Sequence, residues 1–347
     1  MKLSWTTSTW ILVSFILASF VMLAFFRPQL RALFSGAPRY NTSRKPSPEN
    51  KPARQKHSSS TPELLPWNIV KTPEQKDPSK RTPQKSTPEK KQRSTQPFDA
   101  FLALDFEGTC IEGSSFDYPN EIIEFPVILM RWKDKDGSGQ ASELVVVDEF
   151  HSFVKPAWKP KLSKFCTNLT GITQNQVDAA PDFVEVLWKL RAFMTKNKLI
   201  HAGDGKAITR FCWCTDGPWD LGDLLTKQCF HSRIQPPGWL QNNVIDVRRA
   251  VKLWMTGGEK TTSTHGATPN IRGQLSALGL DFQGRLHSGI DDTRNISRVV
   301  IELARRGVKL QPNLTVTHRK RFGWMGKAGQ VREEQIIMTQ RQRARED

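Results

Sequence analysis

The chain has 347 residues, 24% of them charged, and a formal net charge of +17. That length admits one large domain or two small ones, and five cysteines without metal-ligand spacing exclude a disulfide framework and point to buried free thiols in a reducing compartment. The charge is uneven: residues 27–97 hold sixteen Lys/Arg against five Asp/Glu, residues 98–310 hold 26 against 25, and residues 311–347 hold eight against four. The middle of the chain is near neutral, so the basic excess of the flanks points to nucleic acid, an anionic membrane surface or a solvated linker.

Residues 3–26 carry no charge, and Trp10 to Phe26 is nearly all apolar. This predicts an N-terminal transmembrane helix within residues 1–26. Arg27, Arg31, Arg39, Arg44 and Lys45 follow it and only Lys2 precedes it, so the positive-inside rule makes a single-pass membrane protein whose bulk faces the cytosol. The first acid is Glu49, which keeps a mitochondrial presequence as the alternative; a cleaved secretory signal fits poorly. Residues 27–97 are rich in Pro, Lys, Ser and Thr and repeat loosely at Thr72-Pro73, Thr82-Pro83 and Thr87-Pro88. They lack the apolar surface to offset chain entropy and are read as a disordered basic linker.

Order is expected from residue 98. Strands are expected over 101–106, 121–132 and 144–154, the last two joined by a turn at Asp134 to Gly139. A helix follows over 162–169, and an amphipathic one over 181–196 with Phe183, Val186, Leu187, Leu190 and Phe193 on one face. A strand over 208–214 would put Cys212 and Cys214 on one face. Helices are then expected over 221–230, 244–255, 270–278 and 291–305, and a basic, polar tail over 311–347. The fold class is α/β, a mixed sheet covered by helices. Glu121 and Glu124 read as strand-edge residues, Asp216 as a turn residue and Asp291 as a helix cap. The sequons at Asn41, Asn168, Asn295 and Asn313 are read as unmodified.

Three acidic stations punctuate the region 98–310: Asp105-Phe106-Glu107, Trp219-Asp220, and His287-Ser288-Gly289-Ile290-Asp291-Asp292. Side chains two apart on a strand share a face, so Asp105 and Glu107 can share hard cations. Hydrolysis of a phosphodiester needs an attacking hydroxide and neutralisation of phosphate charge, which two Mg²⁺ or Mn²⁺ ions roughly 3.5–4 Å apart supply together. Such ions take carboxylate oxygens. Asp105, Glu107, Asp220 and Asp292 can provide them, and His287 suits a general base acting on water.

The order Asp-x-Glu, Asp, His-x-x-x-x-Asp resembles the DEDDh 3′→5′ exonucleases. The words Leu104-Asp105-Phe106-Glu107-Gly108-Thr109-Cys110, Glu121-Ile122-Ile123-Glu124-Phe125-Pro126-Val127, Leu169-Thr170-Gly171-Ile172-Thr173-Gln174 and Thr215-Asp216-Gly217-Pro218-Trp219-Asp220 resemble the Eri-type exoribonuclease branch. The resemblance covers roughly residues 98–310 and implies a ribonuclease-H-like fold. It implies metal binding by Asp105, Glu107, Asp220 and Asp292, with His287 as base. It further implies stacking of the terminal base on Phe165 and Trp219, and sugar contacts at Gly108 and Thr109, where Gly108 stands in place of an alanine. The expected activity is membrane-tethered trimming of single-stranded RNA 3′ ends to nucleoside 5′-monophosphates. A DNA exonuclease and a non-catalytic RNA-binding module of the same fold are the rivals.

Overall fold

The computed structural model describes residues 92–241, 243–258, 268–316 and 320–337. Its centre is a mixed sheet. Strand β2 (Ala100–Leu104) pairs antiparallel with β4 (Ile122–Trp132) and parallel with β7 (Phe211–Thr215). Strand β3 (Glu107–Gly108) pairs with β4 beyond β2, with a register shift between its two residues. Strand β6 (Leu144–Phe153) also pairs antiparallel with β4, and β8 (Val244–Asp246) pairs parallel with β7. Two short strands, β1 (Ser94–Thr95) and β5 (Gln140–Ala141), pair with each other.

Both faces of the sheet are covered, so β2 and β7 are buried along their whole lengths. Alternation sorts their side chains. Ala100, Leu102, Leu104, Phe125, Val127, Leu129 and Trp213 cluster with Phe183, Val186 and Leu190 of α3 (Phe183–Lys196). Phe101, Ala103, Ile128, Met130, Cys212 and Cys214 face α5 (Val247–Met255), α6 (Ile271–Ala277) and α7 (Gly289–Arg305). The two thiols share a face, as a strand requires, and all five cysteines are free. Helices α1 (Lys164–Thr170) and α2 (Gln174–Asp178) lie before α3, and α4 (Leu225–His231) follows β7. The mixed sheet flanked by helices is the architecture expected from the sequence.

Several expectations are corrected. The single-pass anchor is one: among the described residues no helix is long and apolar enough to cross a membrane. The longest named helix, α7, has 17 residues and carries Asp291, Asp292, Arg294, Arg298, Glu302 and Arg305. Residues 1–26, on which the anchor rested, and 27–91 of the linker lie outside the described residues. Membrane attachment, a cytosolic orientation and the mitochondrial alternative therefore find no support among the described residues. The helix expected over 244–255 begins instead as strand β8, because Val244 and Ile245 complete the parallel edge of β7; Asp246 then caps α5 by accepting from the Arg249 amide. The helix expected over 221–230 starts one residue earlier, as a π-helical turn at Asp220–Leu224.

Glu121 and Glu124 are buried, not edge residues. Glu121 accepts from the amides of Ala157, Trp158 and Lys159 at 2.7, 2.9 and 3.1 Å. Part of the basic tail is also packed. Phe322, Trp324 and Met325 are buried beside Phe230, and Trp324 Nε1 donates to the Asp117 carbonyl at 2.5 Å.

Candidate active site

Chain direction sets the site. Parallel strands β2 and β7 end on the same side of the sheet, where crevices form beyond strand carboxyl ends. Asp105 leaves the end of β2 and Glu107 opens β3. Asp292 comes from the first turn of α7. One carboxylate oxygen from each of Asp105, Glu107 and Asp292 lies within 4.8 Å of the others.

The α7 start is seated by two contacts. A Cβ on Gly289 would lie 2.9 Å from the Asp105 carbonyl oxygen, so the helix can come this close only with glycine there. The Ser288 side chain makes no cap. The buried Glu124 carboxylate takes that role instead, accepting from the Gly289 and Ile290 amides at 3.0 and 3.2 Å and lying 2.8 Å from His151 Nε2. A carboxylate is favoured at a helix N-terminus, where amides and the helix dipole are unsatisfied.

The cluster carries excess negative charge in a dry place. Burial, then Asp220, Glu107 and Asp292, hold the Asp105 carboxyl well above the usual range. Burial, then Asp292 and Glu124, raise Glu107 likewise. Burial pushes Asp220 and Asp292 each up to about 7. Asp292 Oδ1 is buried without a hydrogen-bond partner. Unpaired buried carboxylate oxygens are costly unless a cation satisfies them. Three hard oxygen donors and an unsatisfied one among them fit a divalent metal ion of the Mg²⁺ type.

Asp220 stands slightly apart. Its Oδ1 accepts from the Phe106 amide at 2.8 Å, which ties the end of β2 to the π-helical turn. π-Helical turns occur often at functional sites. The residues just before it explain the turn. Gly217 has φ 103°, and a Cβ there would collide with the Trp219 indole, so the ring folds back over its own chain. Arg248 lies 4.5 Å above that ring and pairs with Asp216 through two bonds of 2.9 and 2.8 Å. Gln274 Nε2 donates to Asp216 at 2.6 Å. Asp216 is thus the hub that fixes Trp219, rather than a simple turn residue.

His287 sits on the exposed loop before α7 with φ 60°, a left-handed conformation uncommon outside glycine but tolerated by histidine. The nearby His287 backbone amide lowers the Asp292 carboxyl and partly offsets the rise caused by burial. What packing His287 has, and the Arg285 charge, lower the imidazole pKa from its ordinary value. Arg285 anchors the loop to α1 by donating to the Asn168 and Leu169 carbonyls at 2.8 and 2.9 Å, passing over Gly171 at φ 76°. Asp291 braces the same loop by accepting from the Arg285 amide at 2.9 Å.

Phe165 on α1 is 38% exposed and Trp219 36%, so both rings are open to a ligand. The Thr109 amide and hydroxyl are instead used internally, bonded to Glu121 at 2.8 and 2.9 Å. At Gly108 a Cβ would stand 3.1 Å from Leu224 Cδ2, a tight fit for the alanine that the resemblance leads one to expect. Sequence reasoning missed Glu124, Arg248 and Gly289 as parts of the site. Only Gly289 had a local signal, a glycine at a helix start.

The exonuclease family (RNase_T) matches residues 102–300. The chain is 35% identical over 238 residues to the 3′-5′ exonuclease eri1 of Schizosaccharomyces pombe, covering 65% of this chain and 74% of that one. It is 34% identical over 216 residues to 3′-5′ exoribonuclease 1 of Mus musculus, covering 62% of this chain but 56% of the mouse protein. A crystal structure of the nuclease domain of 3′hExo, a DEDDh family member bound to rAMP, superposes with a TM-score of 0.55 at 32% identity, covering 64% of this chain and all of that domain. With the acidic cluster at the ends of β2 and the start of α7, these likenesses place the chain in the exonuclease family, among the DEDDh-type 3′-5′ exonucleases related to Eri1, enzymes that hydrolyse phosphodiester bonds.

Proposed function

We propose that the chain is a divalent-metal-dependent exonuclease that hydrolyses single-stranded RNA from its 3′ end and releases nucleoside 5′-monophosphates. The observation that carries this reading is the Asp105–Glu107–Asp292 cluster with its unpaired buried Asp292 Oδ1. Asp105, Glu107 and Asp292 would hold the metal, with Asp220 completing the set from the π-helical turn. Two ions, Mg²⁺ or Mn²⁺, suit the charge. Bound there, they supply a water of lowered pKa and offset charge on the phosphate.

The protein's own groups do the rest. His287, with its pKa held down, is neutral near pH 7 and able to take the proton of the attacking water. Trp219, fixed by Arg248 and Gly217, offers a face to the terminal base, and Phe165 offers a second ring. Stacking of this kind tolerates any base. The likeness to the DEDDh exonucleases assigns the terminal sugar to the backbone at Gly108. RNA is favoured over DNA because the relative from Mus musculus is named an exoribonuclease and the 3′hExo nuclease domain was solved with rAMP.

The test is a time course on 5′-labelled single-stranded RNA and a DNA of matched sequence, with Mg²⁺ or Mn²⁺. A one-nucleotide ladder on RNA, absent in His287→Ala and Asp105→Asn, is the expected result. A ladder on DNA alone would replace RNA as the substrate. RNA retained without cleavage would make the chain a binding module.

A further inference from the structure

The loop between β3 and β4 carries a ring that has no part in the acidic site. Phe116 is 53% exposed and meets Trp219 edge to face, with centroids 6.2 Å apart and planes at 67°. An exposed phenylalanine on a loop gains little from water and is held in place only if its backbone has partners. Here the partners are substantial. The Phe116 carbonyl accepts from Lys227 Nζ, which also donates to Asn120 Oδ1 at 3.0 Å and lies 5.0 Å from the Phe116 centroid. Lys227 itself is fully buried. The next carbonyl, of Asp117, takes the Trp324 indole N–H. Trp324 stands in a column of four stacked rings, Trp158, His231, Trp324 and Phe322, spaced 5.7, 5.6 and 5.7 Å apart. A buried lysine and the 320–325 segment thus fix the loop whose ring faces solvent beside Trp219.

We propose that Phe116 is a further base-stacking residue: Trp219 and Phe165 receive the 3′-terminal base and Phe116 the base before it, so the site grips two nucleotides of a single strand. The inference rests on the exonuclease reading. Its chemistry is that of an aromatic platform, on which each stacked base adds about tenfold in affinity whatever its identity. Phe116 contributes no polar group, so the second position is tolerant of sequence.

The test is binding by the full chain, with Ca²⁺ in place of Mg²⁺ to hold substrate uncut. The probes are AMP and oligoadenylates of two, three and eight nucleotides. Wild type should bind the dinucleotide about tenfold more tightly than AMP. Phe116→Ala should lose that gain, and Phe116→Trp should keep it. A Phe116→Ala variant that retains the gain overturns the proposal, and so does a Phe116→Trp variant that loses it. RNA hydrolysis by wild type, followed in parallel with Mg²⁺, separates the two readings. If wild type degrades RNA while Phe116→Ala retains the gain, only the Phe116 assignment fails. If wild type degrades none, the exonuclease reading fails.

Discussion

Gly289 opens helix α7 directly against Asp105: the missing Cβ would sit 2.9 Å from the Asp105 carbonyl oxygen and 3.0 Å from Glu124 Oε2. This contact sets how far Asp292, three residues along, stands from the two acids of the neighbouring strands. Gly289→Ala should push the helix start outward by a fraction of an ångström. Because small displacements of catalytic groups cost heavily, activity should fall about 10- to 100-fold with the fold intact. Steady-state kinetics and circular dichroism of the purified variant check this.

The metal-free protein should lose stability as pH rises from about 4 to about 7. Asp220 and Asp292 have native pKa values raised to about 7, above the ordinary carboxyl value, and Asp105 and Glu107 are raised as well. In that window the native state binds more protons than the unfolded one, so unfolding becomes easier with each rise in pH. The stability is fully present below the unfolded pKa and gone above the folded one. Each pH unit between the two values is about 1.4 kcal/mol per group. Added Mn²⁺ should restore the lost stability near pH 7, and Asp292→Asn should flatten the metal-free profile. Thermal melts across pH, with and without metal, measure all three.

Glu124 should matter as much as a metal ligand without being one. Glu124→Ala leaves the Gly289 and Ile290 amides without their acceptor, a cost of roughly 1–3 kcal/mol for each buried group. Glu124→Gln keeps an acceptor for one of the two amides and removes a charge that raises Glu107, so its loss should be smaller, about 1 kcal/mol. Chemical denaturation of both variants gives the order; equal losses would contradict it.

The 320–337 segment should stabilise the domain it packs on. Truncation after residue 316 removes Phe322, Trp324 and Met325 from the Phe230 cluster and exposes the His231 ring. Burying a large side chain contributes about 1.5–3 kcal/mol. A fall of several degrees in Tm is expected, read by a thermal melt of the shortened chain.

Much of this was legible in the sequence because it depends on local periodicity. The alternation in β2 and β7, the amphipathic face of α3 and the acid pair around Phe106 all depend on neighbours in the chain. What escaped depends on distant partners. Nothing local distinguishes Glu124, buried under α7, from an edge glutamate, and its amide partners lie 165 and 166 residues away. Asp216 reads as a turn residue until Arg248 and Gln274 arrive from α5 and α6. Val244 and Ile245 extend a helical pattern locally, yet the open edge of β7 draws them into a strand. The tail after residue 311 is basic on average, and an average hides the three apolar side chains that dock.

Whether Asp105, Glu107 and Asp292 form a divalent-metal centre is tested most directly by calorimetric titration of the metal-stripped protein with Mn²⁺. Two ions bound per chain near pH 7.5, with at least one lost in Asp292→Asn, is the predicted result. No bound Mn²⁺, or the same binding in Asp292→Asn as in wild type, would contradict it.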